Sequence, residues 1–350
     1  MKIVSLFTGA GGLDLGFEQA GFKTIWANEF DQSIWDTFQF NFPDTTLVTN
    51  SIVNVDSASI PDADGIIGGP PCQSWSEAGA GRGINDERGK LFYEYVRVLK
   101  DKKPKFFLAE NVSGILLPRH KTAFNAIIHS FNSIGYNVWW SLLNASNYSV
   151  PQDRKRVIII GFRKDLNINY LYPSPSLRIK PLRESIGDMP EPLPALESNK
   201  ANNPASLAIP NHEYMTGGFS SIYMSRNRVR AWDEVSFTIQ AGGRHAPIHP
   251  SAPKMKFIEQ NVRIFKPGHE HKYRRLSVRE CARIQTFPDN FIFMYNKIAD
   301  GYKMVGNAVP VELARVLACS IKHALQKRTN VQDSEMILSE PMQSVSMRQA

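Results

Sequence analysis

The sequence has few cysteines and no long apolar run. Its 350 residues include three cysteines, Cys72, Cys281 and Cys319, which lie far apart. This pattern excludes a disulfide framework, and no group of cysteines and histidines has the spacing of a zinc site. The apolar run at residues 3–7 is too short for a signal peptide, and no stretch approaches the roughly 20 residues of a membrane helix. We therefore expect a protein of a reducing, intracellular compartment, without a metal or a membrane anchor.

The basic residues are unevenly distributed. The chain has 41 lysines and arginines against 33 aspartates and glutamates, a net charge of +8. Residues 178–275 contain 15 basic and 9 acidic residues, so a net charge of +6 falls in under a third of the chain. Such a surface suits a polyanionic partner such as nucleic acid, although many soluble proteins are equally basic and bind none.

Short apolar runs alternate with helical patterns over residues 3–165. Leu91, Tyr95, Val98 and Leu99 mark one face of a helix. Strands alternating with helices indicate an α/β fold with a doubly wound, mostly parallel sheet. The predicted strands are residues 3–7, 24–27, 64–68, 105–109 and 157–161.

The pattern of alternating strands and helices ends after about Tyr170. Prolines interrupt any long element, and loops dominate to about Arg274. We expect a first domain of residues 1–172 and a smaller, irregular domain of residues 173–273.

Helical patterns return near the C-terminus. Residues 277–280 form a capping box at the start of a helix, and a second helix follows Pro310 to about Gln326. We expect a C-terminal segment of residues 274–328 and a mobile polar tail of residues 329–350.

The candidate reactive groups all follow predicted strands. In open α/β sheets, ligands bind at the carboxyl ends of the strands. The first strand runs into a glycine-rich turn, residues 7–12, and Glu29 follows Gly9 by 20 residues, which suits a carboxylate that binds a ribose. Asp14 stands where a dinucleotide fingerprint requires glycine or alanine, which argues against NAD. The alternative is a purely structural strand–helix turn.

Cys72 lies in a stretch whose backbone is restricted by neighbouring glycines and prolines, Gly68-Gly69-Pro70-Pro71-Cys72. A fixed backbone suits a nucleophile that must be held in place. An isolated cysteine is more often a small buried hydrophobic residue, and we interpret Cys281 and Cys319 in that way.

Three further charged residues complete the candidate site. Glu110 ends an apolar strand, and it is either a solvated loop charge or a partly buried proton donor. Arg154 and Arg156 point to one face of an extended chain, unless they belong to an ordinary basic surface.

Together these residues resemble the C5-cytosine-specific DNA methyltransferase family. The matching segments occur in the family's order and cover the chain from residue 1 to about 326. They are residues 7–12, 71–73, 110–112, 152–156, 275–288 and 306–309. The resemblance implies the class I S-adenosylmethionine-dependent methyltransferase fold, with a target-recognition domain and a C-terminal segment that returns to the catalytic domain.

The resemblance also implies the chemistry. Cys72 would add to C6 of a flipped cytosine, and Glu110 would protonate N3. Arg156 would hold the carbonyl oxygen of the base, and Arg154 would support the pocket near Cys72. Ser76 and Arg82 resemble part of a mobile loop that closes over the DNA.

For the cofactor S-adenosylmethionine, the resemblance implies a binding site on several segments. The residues are Phe7, Gly9, Gly11, Gly12, Leu13, Glu29, Ser51, Ile52, Pro71, Asn307 and Val309. Ser51 departs from the family, which usually has aspartate there to face the adenine amino group. Because serine carries no charge, we expect weaker cofactor binding with retained activity.

Four arginines in the basic region are candidate DNA contacts: Arg226, Arg228, Arg230 and Arg244. Arginine pairs bidentately with guanine, although each of these can equally contact a phosphate. The region resembles that of restriction–modification enzymes that methylate GGCC. This implies a monomer that acts on double-stranded DNA in a bacterial-type cytoplasm, paired with a restriction endonuclease of the same specificity.

Three alternatives remain at the level of the sequence. The first is a tRNA cytosine-5 methyltransferase with the same chemistry. The second is a catalytically inactive nucleic-acid binder on this fold, although Cys72, Glu110 and Arg156 are intact. The third, an NAD oxidoreductase, leaves Cys72 unexplained.

Overall fold

A seven-stranded sheet forms the centre of the molecule. The computed structural model describes residues 1–71 and 87–339, with side chains at 1–71 and 91–327. The strand order is β3-β2-β1-β4-β5-β7-β6. The strands are β1 (Lys2–Leu6), β2 (Lys23–Asn28), β3 (Thr46–Val48), β4 (Gly65–Gly68), β5 (Phe106–Val112), β6 (Tyr136–Asn144) and β7 (Lys155–Arg163).

The sheet is parallel from β3 to β5, and β7 runs antiparallel to both β5 and β6. This confirms the predicted doubly wound, mostly parallel sheet. The short β3 and the edge strand β6 escaped prediction. In β6 most side chains are only half-buried, so its apolar residues lack the continuous run of a central strand.

Helices cover both faces of the sheet. On one face, α1 packs against the C-terminal helix α9. On the other face, apolar residues of α3 and α4 pack against β1, β4, β5 and β7. The helices are α1 (Gly12–Gln19), α2 (Gln32–Asn41), α3 (Glu87–Lys102), α4 (Lys121–Ser133), α5 (Arg183–Ile186), α6 (Ser221–Met224), α7 (Val278–Ile284), α8 (Ile298–Asn307) and α9 (Val311–Ser339).

The irregular region between residues 173 and 273 has a small apolar cluster, which includes Tyr223, Val229 and Ile248. Its strands are short: β8 (Leu193–Pro194), β9 (Glu213–Tyr214), β10 (Lys256–Glu259) and β11 (Val262–Ile264). Loops and a local core of this kind position side chains on a surface rather than in a large interior.

The C-terminal helices agree with the sequence at their start and differ at their end. The Ser277 side chain and Glu280 form the predicted capping box of α7. Helix α9 continues to Ser339, past the expected end near Gln326, so residues 329–339 are helical instead of forming an irregular tail. Residues 340–350 lie outside the described part of the chain.

Two further expectations need correction. Residues Ile298–Lys327 are long and apolar enough, by length and composition alone, to cross a membrane, but 67% of their most apolar window is buried, as in a core helix.

Cys281 is buried as expected, whereas Cys319 is exposed on α9 because it faces away from the sheet-side core.

Candidate active site

A cavity of about 520 Å³ opens at the carboxyl ends of β1, β2, β4 and β5. Its walls combine the glycine turn, the ends of these strands and the loop that follows α8. The predicted site residues that line it are Phe7, Gly9, Gly12, Leu13, Glu29, Ser51, Ile52, Pro71, Glu110, Arg154, Arg156, Asn307 and Val309. The structure therefore brings together residues that are separated by up to 302 positions in the chain, from Phe7 to Val309.

Glu29 fixes the turn that follows β1. Its carboxylate accepts hydrogen bonds from the backbone amides of Gly9 (2.9 Å) and Asp31 (2.8 Å). Burial raises the pKa of the Glu29 carboxyl, and these two hydrogen bonds oppose that rise. Phe7 takes a positive φ of 55°, a conformation uncommon for a residue with a side chain. The turn is thus held in one conformation by groups within the site.

Two glycines of the turn are required by packing. Gly11 has φ 85°, and a Cβ there would lie 2.3 Å from the ring of Phe42. A Cβ on Gly12 would lie 2.5 Å from the carbonyl oxygen of Val309. Gly11 does not line the cavity, so its contribution to the predicted cofactor site is to shape the turn.

Ser51 lies on the cavity wall at the start of a short 3₁₀ turn, Ile52–Asn54. The preceding backbone is held by Asn28, whose side-chain amide donates to the carbonyls of Val48 (2.9 Å) and Asn50 (2.8 Å). This fixes the position from which Ser51 can accept a hydrogen bond.

Glu110 and Arg156 form an ion pair inside the cavity. Glu110 Oε1 lies 2.8 Å from Arg156 Nε, and the two side chains are only 12% and 13% exposed. Because β5 and β7 pair in antiparallel register, Val112 lies opposite Arg156. Glu110 lies two residues before Val112 on β5. The ion pair therefore fixes the direction of the Glu110 carboxylate within the cavity.

Asn111 connects the end of β5 to the turn that leads to Cys72. Its side-chain amide donates to the carbonyl of Pro70 (3.1 Å), and Pro70 and Pro71 both line the cavity. Cys72, Ser76 and Arg82 lie outside the described residues.

Arg154 is a buried connector. Its guanidinium donates to the carbonyls of Ile239 (3.0 Å), Gly306 (2.9 Å) and Ala308 (3.0 Å). Burial, with Arg156 nearby, lowers its pKa to about 9. One side chain immediately before β7 thus joins the basic region to the segment that contains Asn307.

The four predicted DNA contacts fall into two groups. Arg226 and Arg244 are exposed. Arg228 is half-buried and donates to the carbonyl of Tyr223 (2.8 Å). Arg230 stacks 4.1 Å from the ring centre of Phe237 and pairs with Glu234. The segment is not a strand, so the alternate spacing does not place the arginines on one face.

Sequence reasoning missed several residues of the cavity. Phe30, which follows Glu29, is 71% exposed and lines the wall. Ser5 and Thr8 line it from β1 and from the turn. All three adjoin predicted motifs, and their position beside a strand end was the available signal. Met304 on α8 carried no such signal, because it reaches the cavity through the tertiary fold.

The chain matches one family profile over nearly its full length. The profile is described as C-5 cytosine-specific DNA methylase, and it matches residues 1–323. Similar curated proteins are named type II methyltransferases. M.MthTI of Methanothermobacter thermautotrophicus is 57% identical over 93% of this chain and 98% of its own. M.FnuDI of Fusobacterium nucleatum is 55% identical, covering 95% and 97%. M.NgoPII of Neisseria gonorrhoeae is 53% identical, covering 93% and 97%.

Solved structures share the fold at lower sequence identity. A protein described as a prophage-encoded DNA modification methyltransferase from E. coli superimposes with a TM-score of 0.74 at 22% identity, covering 93% of this chain and 99% of its own. The Entamoeba histolytica methyltransferase EhMeth gives a TM-score of 0.67 at 15% identity, covering 94% and 98%. At these identities the comparison supports the fold alone.

Proposed function

The chain belongs to the C-5 cytosine-specific DNA methylase family and is a DNA (cytosine-5)-methyltransferase, and we propose that it transfers the methyl group of S-adenosylmethionine to a flipped cytosine within GGCC. The observation that carries this proposal is the shared cavity. The ion-paired Glu110 and Arg156 lie in the same cavity as Glu29 and the glycine turn. A base and a nucleoside cofactor can therefore meet there.

The cavity fits the proposed cofactor. Glu29 keeps free lone pairs for ribose hydroxyls after accepting its two backbone hydrogen bonds. The exposed ring of Phe30 and the side chain of Ile52 offer apolar surface for a purine. When bound, S-adenosylmethionine supplies an electrophilic methyl group on a sulfonium. Asn307 and Val309 close the wall beside the turn.

The protein's own groups account for the activation of the base. The Cys72 thiolate forms a bond to C6, and Glu110 gives a proton to N3, so that C5 becomes nucleophilic. Arg156 holds Glu110 and the carbonyl oxygen of the base. After C5 is methylated, Glu110 takes the proton back from N3, a general base removes the C5 proton and the Cys72–C6 bond breaks with release of the thiolate, which restores the aromatic ring. The target must leave the stacked duplex for these contacts to form.

We propose that the smaller region, residues 173–273, recognises the DNA sequence. Residues 1–172 would form the catalytic domain, and residues 274–328 would form a C-terminal segment that returns to it. Arg226 and Arg244 are exposed and suit contacts with guanine. Arg228 and Arg230 instead stabilise the loop that presents them. We further propose a cytoplasmic monomer that is paired with a restriction endonuclease of the same specificity.

Replacing Arg226 or Arg244 by alanine is expected to weaken binding to a GGCC duplex by about 1–3 kcal/mol and to reduce discrimination against scrambled sites. Fluorescence anisotropy on both duplexes measures this. Arg178→Ala is the control, because Arg178 is exposed in the same basic region but pairs with Glu184. An equal loss on both duplexes would assign the two arginines to phosphate contacts.

Replacing Ser51 by aspartate is expected to tighten binding of S-adenosylmethionine by roughly fivefold. A hydrogen bond to a charged group is worth about 1 kcal/mol more than one to a neutral hydroxyl. Isothermal titration calorimetry measures the dissociation constant. Unchanged affinity would show that Ser51 does not stand in for the usual aspartate.

The proposed reaction is tested with methyl-labelled S-adenosylmethionine and three duplexes: GGCC, a scrambled site, and GGCC with 5-fluorocytosine at the inner cytosine. We expect label on GGCC alone and a covalent adduct on the fluorinated duplex that Cys72→Ser abolishes. Label on other sites would refute the GGCC assignment but keep the reaction. Label on tRNA alone, or binding without any transfer, would favour the RNA enzyme or the inactive binder.

A further inference from the structure

A buried carboxylate lies behind the wall of the cofactor cavity. Asp14 belongs to the first turn of α1 and is fully buried. Its Oδ2 accepts a hydrogen bond of 2.6 Å from the hydroxyl of Thr8, which itself lines the cavity. The reaction described above uses Asp14 in no step.

The second oxygen of this carboxylate is not satisfied by a regular hydrogen bond. Asp14 Oδ1 and the hydroxyl of Ser5 are both buried, and neither has a partner of normal geometry within the described residues. Ser5 lies on the cavity wall and close enough to Asp14 for its hydroxyl to lower the pKa of that carboxyl. Two buried polar groups thus lie close together beneath the cavity.

Asp14 also has no ion-pair partner in the described part of the chain. Burial raises the pKa of the Asp14 carboxyl, and the charge of Glu18, which also acts on Asp14, raises it further because Glu18 is acidic. The pKa of Asp14 is thereby raised to about 6, and near neutral pH the group is mainly ionised. An unpaired buried charge destabilises a fold, which suggests that it serves the ligand.

We propose that Asp14 is a specificity-determining residue. It favours binding of the positively charged methyl donor over binding of the neutral, demethylated product in the same cavity. The inference rests on the cofactor assigned under the proposed function. S-adenosylmethionine carries a sulfonium, whereas S-adenosylhomocysteine has an uncharged thioether at the same place. A fixed negative charge behind Ser5 and Thr8 attracts S-adenosylmethionine more than S-adenosylhomocysteine. Because Asp14 is fully buried, little water screens its charge.

The Asp14→Asn variant separates charge from shape. Asparagine has nearly the same volume, and its carbonyl oxygen can still accept the hydrogen bond from Thr8. A purely structural role would change the affinity for both ligands by the same factor. If the charge of Asp14 matters, the variant changes the ratio of the two dissociation constants.

The experiment measures dissociation constants of both ligands by calorimetry at pH 7.5 for the wild type, Asp14→Asn and Asp36→Asn. Asp36 is an exposed aspartate on α2 and serves as the control. We expect Asp14→Asn to weaken S-adenosylmethionine binding roughly tenfold and to change S-adenosylhomocysteine binding less than about twofold. The variant is also expected to unfold at a higher temperature, since a buried charge has been removed.

Equal changes for the two ligands, or no change, would overturn the inference. If Asp14→Asn does not fold, the exchange variant Ser5→Asp/Asp14→Ser decides, because it keeps one carboxylate in the cluster. That variant should keep the wild-type ratio of the dissociation constants for S-adenosylmethionine and S-adenosylhomocysteine. A ratio that differs from the wild-type value would refute the proposal. If the wild type binds neither ligand, the cofactor assignment itself is refuted, and the inference falls with it.

Discussion

Replacing Glu110 by glutamine is expected to lower the rate of methyl transfer by about 10²–10⁴-fold, while affinity for S-adenosylmethionine changes little. The reason is that an amide cannot give a proton to N3 of the base, and general acid catalysis contributes a factor of this size. The change also removes the ion pair with Arg156, whose Nε lies 2.8 Å from Glu110. Single-turnover transfer of labelled methyl groups to a GGCC duplex measures the effect.

A matched control exists elsewhere in the molecule. Glu94 on α3 pairs with Arg97 at 2.6 Å, and Glu94→Gln removes a carboxylate of the same kind away from the cavity. Its rate should stay within about twofold of the wild type. We also expect Arg156→Ala and Glu110→Gln to be non-additive, since each residue positions the other. A loss of less than tenfold for Glu110→Gln would contradict its assignment as proton donor.

Replacing Arg154 by methionine is expected to reduce the free energy of unfolding by about 3 kcal/mol or more. The guanidinium donates to three carbonyls, of Ile239, Gly306 and Ala308. The variant leaves the first two without this donor, whereas the Ala308 carbonyl keeps the hydrogen bond from Gln285 Nε2 (3.2 Å). Activity should fall as well, because Gly306 and Ala308 flank Asn307 on the cavity wall. Urea denaturation followed by circular dichroism gives the free energy.

Arg178→Ala again provides the comparison. This arginine is 77% exposed, and its ion pair with Glu184 lies at the surface, where such pairs contribute about 0–1 kcal/mol. If Arg154→Met is no less stable than Arg178→Ala, the three hydrogen bonds of Arg154 do not hold the segments together. Loss of activity without loss of stability would instead point to a direct effect on the base pocket.

The class of fold could be predicted from local patterns. A buried parallel strand is a short apolar run, and a helix start has capping residues, so β1, β5 and the capping box of α7 are visible in the sequence. The carboxyl ends of parallel strands meet at one edge. For that reason the sequence alone assigns Glu29 and Glu110 to a common site, and both line the same cavity.

Other features depend on contacts between distant parts of the chain. The sequence shows Arg154 and Arg156 as two similar residues of one extended segment. Only the tertiary structure decides that Arg156 pairs with Glu110 while Arg154 is buried against carbonyls up to 154 positions away. In the same way, a row of alternate arginines cannot reveal that Arg228 is tied to Tyr223 and that Arg226 is exposed.

The sequence by itself therefore determined the class of the sheet, the family and the order of its motifs, since these follow from patterns within short segments. Tertiary structure decided which charges are free to act and which stabilise the fold. Asp14 illustrates the difference: in the sequence it argues only against NAD, and in the structure it is a buried, unpaired carboxylate beneath the cavity. Burial and pairing are properties of the surroundings of a side chain, and those surroundings come from segments that are remote in the sequence.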